Sequence, residues 1–418
     1  MNILWITNTI FPEPSEKLGL SKPVSGGWMY GLAKQLSKQN GTSMAVASTW
    51  QKNEYVELDI DATKYYVLPN LDEYKYPQHL EAYWKKIIEQ YQPDIIHIHG
   101  TEYQNALACM RANPTQNYII SVQGLVSVIA KYQYAGIPMM DIIRNITIRD
   151  VLRKDTIIQS KKYFEKCALF EREYFDRTKH VIGRTSFDYA HTRILNRNSK
   201  YHFCNETLRS GFYNAKKWDI NTMTQHTIFL SQSERTFKGL HKLLEAANLL
   251  KQEFPNITIR IAGGNIITTK TFEDKLRLSG YGNYIKKLLS QYGLTNHVTF
   301  TGPLDEEGII SEYLNANVFV CPSSIENSPN SLAEAQILGV PTIASYVGGV
   351  ADMIAHKHDG LIYRFEEVEM LAESIRELFV NKDLANTLSK NGIITAEKRH
   401  KASVNFERII DIYNEILI

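Results

Sequence analysis

Residues 321–349, CPSSIENSPNSLAEAQILGVPTIASYVGG, predict one strand–loop–helix–strand–loop unit. The apolar run that ends at Cys321 favours a buried strand, and the proline and serines that follow it favour a loop. The pattern Ser331-Leu-Ala-Glu334 predicts a capping box at the start of a helix, and the glycine and proline that follow predict its end. A second buried strand over residues 342–345 leads into a glycine pair. Alternation of this kind is typical of an α/β fold.

Two glutamates of this stretch, Glu326 in the loop and Glu334 in the first turn of the helix, lie near the predicted helix N-terminus. Free N–H groups and the helix dipole favour a phosphate there. A carboxylate alone would repel that anion, so the combination indicates a ligand that also carries hydroxyl groups, as a sugar nucleotide does. The simpler alternative is that Glu334 only completes the capping box and that Glu326 is a solvated loop acid.

Residues 326–349 resemble the signature of the retaining glycosyltransferases of the two-domain GT-B type, family 4 (glycosyl transferases group 1). The resemblance implies that Glu326 lies at the donor sugar as the catalytic residue and that Glu334 binds the ribose of the nucleotide. It also implies donor contacts from the loop and helix start between them, at Asn327, Ser328, Pro329, Asn330 and Ser331.

The composition excludes several classes of protein. The chain has 418 residues, a net charge of +2 and 44% hydrophobic residues, which is typical of a globular protein of two to three domains. Nucleic acid is not predicted as a partner, because no basic run is long enough to follow a phosphate backbone. The four cysteines are far apart and favour reduced thiols in a cytosol over disulfides or a zinc site. With neither a recognisable signal peptide nor an apolar run of 18 residues, the sequence predicts a cytoplasmic protein.

The start of the chain predicts a Rossmann-like unit. A buried strand over residues 2–9 is followed by a polar loop, and Gly26-Gly27 opens a helical pattern to about Lys38. The resemblance implies that Gly26 and Gly27 approach the donor phosphates and the acceptor; the alternative is an ordinary glycine-capped turn. The apolar patterns of the first half also predict strands at 44–48, 65–68, 94–99, 118–122 and 180–185, and a helix at 80–91.

Polar residues at the carboxyl ends of these strands are candidate contacts for the donor sugar or the acceptor, because ligands bind at that edge of a parallel sheet. His99, Gln123 and Arg184 occupy such positions. The family often has a histidine at the place of Gln123, and a glutamine cannot act as a cation near pH 7. A subgroup of bacterial polysaccharide transferases with SVQGLVS-like segments is similar at this position.

Two patterns raise the question of a metal, and neither predicts one. His97 and His99 share one face of a strand, but no third ligand is apparent. Asp59-Ile-Asp61 resembles the DxD metal motif of the other large glycosyltransferase architecture, but its context favours a polar loop. The sequence therefore predicts no metal and no cofactor, the only small molecule being the donor substrate, a UDP-, GDP- or ADP-sugar.

Residues 125–175 are predicted to be helical, with apolar residues among an excess of lysine and arginine. Such an amphipathic basic surface can lie on an anionic lipid. The alternative is that these helices pack on the first domain and help to form the wall of the cleft.

A second Rossmann-like half begins at Thr227. Lys238 precedes its first helix, where a bound anion would explain the presence of a lysine. In the family, this lysine and a nearby arginine hold the donor diphosphate; the usual Gly-Arg pair is absent here, and Arg235 is the candidate for the second charge. The patterns of this half predict strands at 228–231, 257–262, 298–301, 318–321 and 342–345, and helices at 240–253, 284–292 and 332–338.

The sequence thus predicts an α/β protein of the GT-B class, with two Rossmann-like domains facing each other across a cleft. The acceptor-side domain is predicted at 1–213, a linker at 214–226, the nucleotide-sugar domain at 227–400, and a C-terminal helix at 401–418 that returns to the first domain.

The resemblance implies metal-independent transfer of a hexosyl or N-acetylhexosaminyl group, with retention, to a hydroxyl of a glycan or glycolipid precursor. The expected partners are the nucleotide sugar, a glycan or lipid-linked acceptor, and the anionic inner face of a membrane. The alternatives are a GT-B sugar-nucleotide epimerase, a phosphorylase, and a catalytically silent sugar-nucleotide binding subunit.

Overall fold

The computed structural model describes residues 1–21, 27–70, 75–269 and 271–418. The chain forms two compact units, each built on its own sheet. Unit 1 comprises Met1–Ser127, Tyr163–Arg209 and His400–Ile418, and unit 2 comprises Val128–Lys162 and Ser210–Arg399.

Fourteen strands lie in the described residues. They are β1 (Asn2–Ile6), β2 (Ser43–Trp50), β3 (Val56–Ile60), β4 (Thr63–Pro69), β5 (Ile95–His99), β6 (Tyr118–Ser121), β7 (His180–Gly183), β8 (Lys200–Phe203), β9 (Thr227–Leu230), β10 (Thr258–Ile261), β11 (Val298–Phe300), β12 (Val318–Cys321), β13 (Thr342–Ser345) and β14 (Leu361–Tyr363).

The α-helices alternate with these strands. They are α1 (Pro12–Lys17), α2 (Gly27–Ser37), α3 (Leu80–Tyr91), α4 (Asn105–Ala112), α5 (Val126–Ile129), α6 (Met139–Arg144), α7 (Ile148–Arg153), α8 (Ile157–Asp176), α9 (Ser186–Leu195), α10 (Ser210–Asn214), α11 (Leu240–Leu250), α12 (Phe272–Arg277), α13 (Gly280–Gln291), α14 (Glu306–Asn315), α15 (Asn330–Leu338), α16 (Val368–Val380), α17 (Lys382–Arg399) and α18 (Ala402–Leu417).

The sheet of unit 1 has the order β3-β4-β2-β1-β5-β6-β7-β8. Its neighbours are parallel except for β3 and β4, which form an antiparallel hairpin at one edge. The strand order reverses direction between β1 and β5, so the carboxyl ends of these two strands form the point at which α/β sheets bind ligands.

The sheet of unit 2 has the order β11-β10-β9-β12-β13-β14 and is parallel throughout. Its direction of growth reverses between β9 and β12. The loops that follow these two strands are therefore the predicted ligand loops of unit 2.

Apolar side chains fill both faces of the unit 1 sheet, which explains why its central strands are almost continuous apolar runs. The C-terminal helix α18 contributes Ile409, Ile412 and Tyr413 to one of these cores, at the spacing of a single helix face. Trp5 and Tyr413 are also joined by a buried hydrogen bond of 2.9 Å from the indole nitrogen to the hydroxyl. Residues 400–418 thus belong to unit 1, as the sequence predicted for the last helix.

The structure differs from the predicted domain boundaries at residues 128–162, which belong to unit 2 and not to the N-terminal domain. Long-range hydrogen bonds explain the difference. His241 Nε2 lies 2.9 Å from the carbonyl oxygen of Ala135, and the N–H of Gly280 donates to Asp150 over 2.7 Å. Residues 163–175, which the interpretation of helices packing on the first domain also included, belong to unit 1, where Phe170 and Tyr174 of α8 join the core.

Within the described ranges, no helix combines the length and the apolar character needed to cross a bilayer.

Candidate active site

The candidate site of unit 2 is built from the loops that follow β9 and β12. The N–H of Ser324 donates to the carbonyl oxygen of Phe237 over 2.8 Å, which joins the two loops directly. Gly239 has a φ of 75°, and a Cβ at this position would lie 1.7 Å from the carbonyl oxygen of Pro322. Only glycine allows this approach, so the loop with Lys238 is held against the loop with Glu326.

A second glycine closes the site from the side of β13. Gly348 has a φ of 51°, and a Cβ there would lie 1.8 Å from the carbonyl oxygen of Glu326. The N–H of Gly349 donates to that same oxygen over 3.1 Å. The glycine pair at the end of the sequence signature therefore fixes the backbone of Glu326.

These contacts bring Lys238 and Glu326 together. The Nζ of Lys238 lies 2.6 Å from the Oε1 of Glu326, and the hydroxyl of Ser323 donates to the same oxygen over 2.7 Å. Burial alone would lower the pKa of Lys238, but the carboxylate of Glu326 outweighs it and the pKa is raised. Lys238 therefore carries a full positive charge, which its own partner balances.

Lys238 directly precedes Gly239, the N-cap residue of α11. The hydroxyl of Tyr281 accepts from the backbone N–H groups of Leu240 and His241 at the start of this helix. A cation is unfavourable at a helix N-terminus, and here Glu326 supplies the negative charge that balances Lys238.

The predicted capping box at Ser331 and Glu334 is wrong. Helix α15 begins at Asn330, its N-cap is Pro329, and no side chain caps it. The extended backbone of Pro329 starts the helix two residues earlier than predicted, at Asn330 and not at Leu332, so Ser331 is already inside the first turn. Ser331 instead accepts a hydrogen bond of 2.8 Å from the hydroxyl of Tyr313 at its carbonyl oxygen.

Glu334 lies inside this helix. It is 9% exposed and accepts a hydrogen bond of 3.5 Å from the hydroxyl of Tyr313 at Oε2. Its contact with the ribose of the donor stays a prediction.

The remaining donor-binding candidates of unit 2 lie on the same loop and helix start. Asn327 and Pro329 are buried, whereas Ser328, Asn330 and Ser331 are half-buried. The hydroxyl of Ser328 contacts the sulfur of Met353 at 3.6 Å. Arg235, three residues before Lys238, is exposed and is the N-cap residue of a short 3-10 helix over Thr236–Lys238. The structure thus places four of the six on the loops of the Lys238–Glu326 pair, and Asn330 and Ser331 in the first turn of α15.

In unit 1, His99 lies at the end of β5, at the reversal point of the sheet. Its ring is 3% exposed and stacks on His97 at a centroid distance of 4.0 Å, with Trp5 at 4.2 Å. Among the residues that the structure describes, neither ring nitrogen of His99 has a hydrogen-bond partner. Burial holds the pKa of His99 well below its usual value, so the ring is a neutral imidazole with an unsatisfied donor and acceptor.

His97 is a core residue and does not fit a metal pair with His99. Its Nδ1 lies 2.6 Å from the hydroxyl of Tyr413 and its Nε2 lies 2.7 Å from the hydroxyl of Ser121. Both nitrogens are thus occupied. In the part of the chain that the structure describes, no cluster of three or more histidine, cysteine, aspartate or glutamate side chains is arranged to hold a metal ion.

Gln123 and Arg184 meet on a third residue, Glu206. The amide nitrogen of Gln123 donates to Glu206 Oε1 over 3.0 Å, and Arg184 forms an ion pair with the same carboxylate. Arg184 also donates to the carbonyl oxygen of Val122 over 2.7 Å and is only 4% exposed. Arg184 is therefore a buried anchor that orients the carboxylate under Gln123.

A buried pair of carboxyl groups, Glu102 and Glu171, lies beside this cluster and was missed by sequence reasoning. Glu171 accepts from the N–H groups of Val126 and Ser127 over 2.6 and 2.9 Å, and Glu102 accepts from the N–H of Gly124 over 3.0 Å. Burial, with the charge of Glu171 nearby, raises the pKa of Glu102 to about 7. No local sequence pattern could indicate this, because the second carboxyl group, Glu171, comes from the distant helix α8.

Two further candidates remain. Gly26 lies outside the described residues, whereas Gly27 is the first residue of α2, and a Cβ there would lie 2.9 Å from Cδ of Arg209. Asp59 and Asp61 are exposed at the β3–β4 hairpin, with Asp61 at a φ of 52° in its turn. This is the polar turn that the sequence favoured over a DxD motif.

Comparisons with known proteins agree with this arrangement. The family model "Glycosyl transferases group 1" matches residues 213–395, which include every described candidate of unit 2. The capsular polysaccharide biosynthesis glycosyltransferase CapM of Staphylococcus aureus is 28% identical over 182 residues, 43% of each chain. The chain thus spans less than half the length of the curated relatives it matches first.

Solved structures match over the whole chain. Sucrose-phosphate synthase from Thermosynechococcus elongatus has a TM-score of 0.74 at 18% identity and covers 100% of this chain and 99% of its own. HepE from Anabaena, solved in complex with UDP-glucose, has a TM-score of 0.66 at 14% identity and covers 99% and 100%. At these identities the likeness shows the fold, which is GT-B.

Proposed function

We propose, from the membership of residues 213–395 in the glycosyl transferases group 1 family, that the protein transfers a sugar from a nucleotide diphosphate sugar to a hydroxyl group of a glycan or glycolipid precursor. The observation that carries the proposal is the Lys238–Glu326 pair on the two loops at the reversal point of the unit 2 sheet. The pair combines a cation for a diphosphate with a carboxylate for a sugar.

In this proposal Lys238 and the start of α15 over residues 327–331 hold the diphosphate, and Arg235 adds a second charge from the loop of Lys238. These groups stabilise the negative charge that grows on the leaving diphosphate, which is the largest electrostatic demand of the reaction. They require no metal ion, so we propose a metal-independent reaction.

Glu326 faces the developing positive charge on the sugar ring. It is held by Ser323 and by its own backbone, so little reorganisation is needed when that charge appears. Glu334, one and a half turns into the nearby helix, accepts from the ribose hydroxyls. The proposed stereochemistry is retention of the anomeric configuration, with a hexosyl or N-acetylhexosaminyl donor linked to UDP, GDP or ADP.

The proposed acceptor side is the cluster of His99, Gln123 and Glu206 in unit 1. A sugar hydroxyl is both a donor and an acceptor, which is what the two unsatisfied nitrogens of the neutral His99 require. Capsular and related polysaccharide precursors are the proposed acceptors, as CapM is named for such a pathway. The inner face of an anionic membrane is a proposed partner because a lipid-linked acceptor would be presented there.

The test is a thermal-shift screen with UDP, GDP, ADP and their sugars, followed by a transfer assay with the donor that stabilises. A ligand at about 100 times its Kd should add ~2.7 kcal/mol to the free energy of unfolding. Activity should survive excess EDTA; a complete loss that manganese or magnesium restores would contradict the metal-free proposal.

The same assay separates the alternatives. Donor hydrolysis or epimerisation without transfer would indicate an epimerase or related enzyme, and sugar phosphate formation from a glycan would indicate a phosphorylase. Tight donor binding with no turnover on any acceptor would indicate a silent binding subunit.

A further inference from the structure

Helices α6 and α7 of unit 2 expose their apolar side chains to solvent. In α7, Ile148 is 74% exposed, Val151 61% and Leu152 75%. These three residues have the i, i+3, i+4 spacing that normally marks the buried face of a helix. Met139, Met140 and Ile143 of α6 are exposed as well. These six residues are called the outer face below.

The inner side of α7 is polar, whereas α6 buries the apolar Ile142. The buried carboxylate of Asp150 accepts from the N–H of Gly280 over 2.7 Å, at the start of α13. The hydroxyl of Thr147 donates to the carbonyl oxygen of Leu278 over 2.8 Å. The orientation of α7 is therefore fixed by polar contacts, and its apolar face points outward for a reason other than core packing.

Exposed cations surround the outer face. Arg144, Arg153 and Lys154 are exposed and, within the described ranges, have no ion-pair partner. Of the acidic residues nearby, Asp150 is buried, Asp155 pairs with Arg149 at 2.9 Å, and Asp141 in the first turn of α6 is half-buried. The adjacent helix α12 adds the exposed Leu276.

We propose that the outer face of α6 and α7 is a docking surface for an anionic phospholipid bilayer. Apolar side chains at the tip and unpaired cations at the rim are the combination that inserts shallowly among acyl chains while it binds lipid phosphates. A protein partner would need acidic groups opposite three cations, and a second copy of this surface would place those cations against each other. The surface deepens the proposed function, since it would hold unit 2 where a lipid-linked acceptor lies.

The test is flotation of the full-length protein with vesicles of phosphatidylcholine that contain 30% phosphatidylglycerol, at about 50 mM salt, without donor or acceptor. We expect wild-type protein to float with these vesicles and to be released at high salt or from pure phosphatidylcholine. The double variant Ile148→Ser/Leu152→Ser should lower the partition coefficient on the order of 100-fold, about tenfold per apolar side chain withdrawn from the bilayer.

The triple variant Arg144→Gln/Arg153→Gln/Lys154→Gln should lose about fivefold per charge and no longer distinguish the two kinds of vesicle. The matched control is Leu249→Ser/Ile394→Ser, which removes two comparably exposed apolar side chains of unit 2 outside the outer face and should float like wild type. Melting temperature and nucleotide diphosphate binding confirm that each variant is folded.

Failure of the wild-type protein to float, or equal flotation of the Ser double variant, would overturn the proposal. So would a change from dimer to monomer in the Ser variant without any change in flotation, because a second copy would then be the occupant. Vesicle binding needs no sugar transfer, so the docking surface and the proposed activity can each fail alone.

Discussion

Glu326→Gln should have opposite effects on nucleotide binding and on catalysis. In the ligand-free site, Glu326 neutralises Lys238 at 2.6 Å and accepts from Ser323 at 2.7 Å. A diphosphate that binds Lys238 must share that cation and tolerate the carboxylate beside it. Glutamine keeps an oxygen for both donors and removes only the charge.

The magnitude follows from the burial of the pair. Two like charges about 4 Å apart repel by roughly 4 kcal/mol at an effective dielectric constant of 20. The side chain of Lys238 is 22% exposed and that of Glu326 11%, so solvent screens part of this energy. We expect about 1–2 kcal/mol, which lowers the Kd of a plain nucleoside diphosphate about five- to thirtyfold. Loss of the charge in the transition state should lower kcat on the order of 10²–10³-fold.

The assay is calorimetric titration with UDP, GDP and ADP, together with steady-state kinetics on the matched donor and acceptor. Glu312→Gln is the control, because Glu312 has a similar burial of 13% and pairs with Arg260 at 2.6 Å in the same unit. This variant should leave the diphosphate affinity unchanged.

An unchanged or higher Kd for Glu326→Gln would refute the shared use of Lys238 by the carboxylate and the diphosphate. A near-parental kcat would refute the catalytic assignment of Glu326. The two results are independent, so the binding argument can hold while the catalytic one fails.

Three further variants test the rest of the site. Lys238→Ala should weaken nucleoside diphosphate binding more than nucleoside binding in the same titrations; equal losses would return Lys238 to an ordinary surface lysine. Glu334→Gln should raise the donor KM by the equivalent of ~1.5–3 kcal/mol with little change in kcat, because a ribose contact is present in ground and transition states alike; an unchanged KM would remove the ribose assignment. Glu102→Gln should become more stable relative to wild type as the pH rises from 5 to 7, as measured by urea unfolding. The pKa of Glu102 is raised to about 7 in the folded protein, so ionisation of this carboxyl lowers the free energy of unfolding of the wild type in that window. A stability difference that is constant from pH 5 to 8 would show that Glu102 does not titrate there.

The sequence predicted the elements of the unit 2 site well because they are local. The strands β12 and β13 have the predicted bounds, and Gly239 and Gly348 have the positive φ angles that a glycine permits. Buried parallel strands are continuous apolar runs, and glycines occur in the loops between them. Both features can therefore be recognised in the sequence without knowledge of the tertiary structure. The edge strands β3 and β8 were missed because polar residues alternate with apolar ones in them, and the edge strand β14 because it has only three residues.

The contacts between residues far apart in the chain could not be predicted from the sequence. The assignment of residues 128–162 to unit 2 depends on hydrogen bonds between residues more than 100 positions apart, such as Asp150 with Gly280. The raised pKa of Glu102 likewise depends on its burial in the folded protein and on the charge of Glu171, which lies far away in the sequence. The capping box failed for a local reason, since Ser-x-x-Glu is only a frequent helix start and Pro329 provides a competing one.

The Lys238–Glu326 pair also resolves why a carboxylate belongs at an anion site. Before the donor binds, the pair is close to neutral, so neither charge pays the full cost of burial. When the bond between sugar and phosphate breaks, negative charge grows on the diphosphate and positive charge grows on the sugar ring. We expect Lys238 to interact with the negative charge on the diphosphate and Glu326 with the positive charge on the sugar ring. The two side chains then exchange their contact with each other for contacts with the reacting groups. A carboxylate at this place then weakens the ground-state binding of the diphosphate but stabilises the transition state. An interaction that is stronger in the transition state than in the ground state raises kcat.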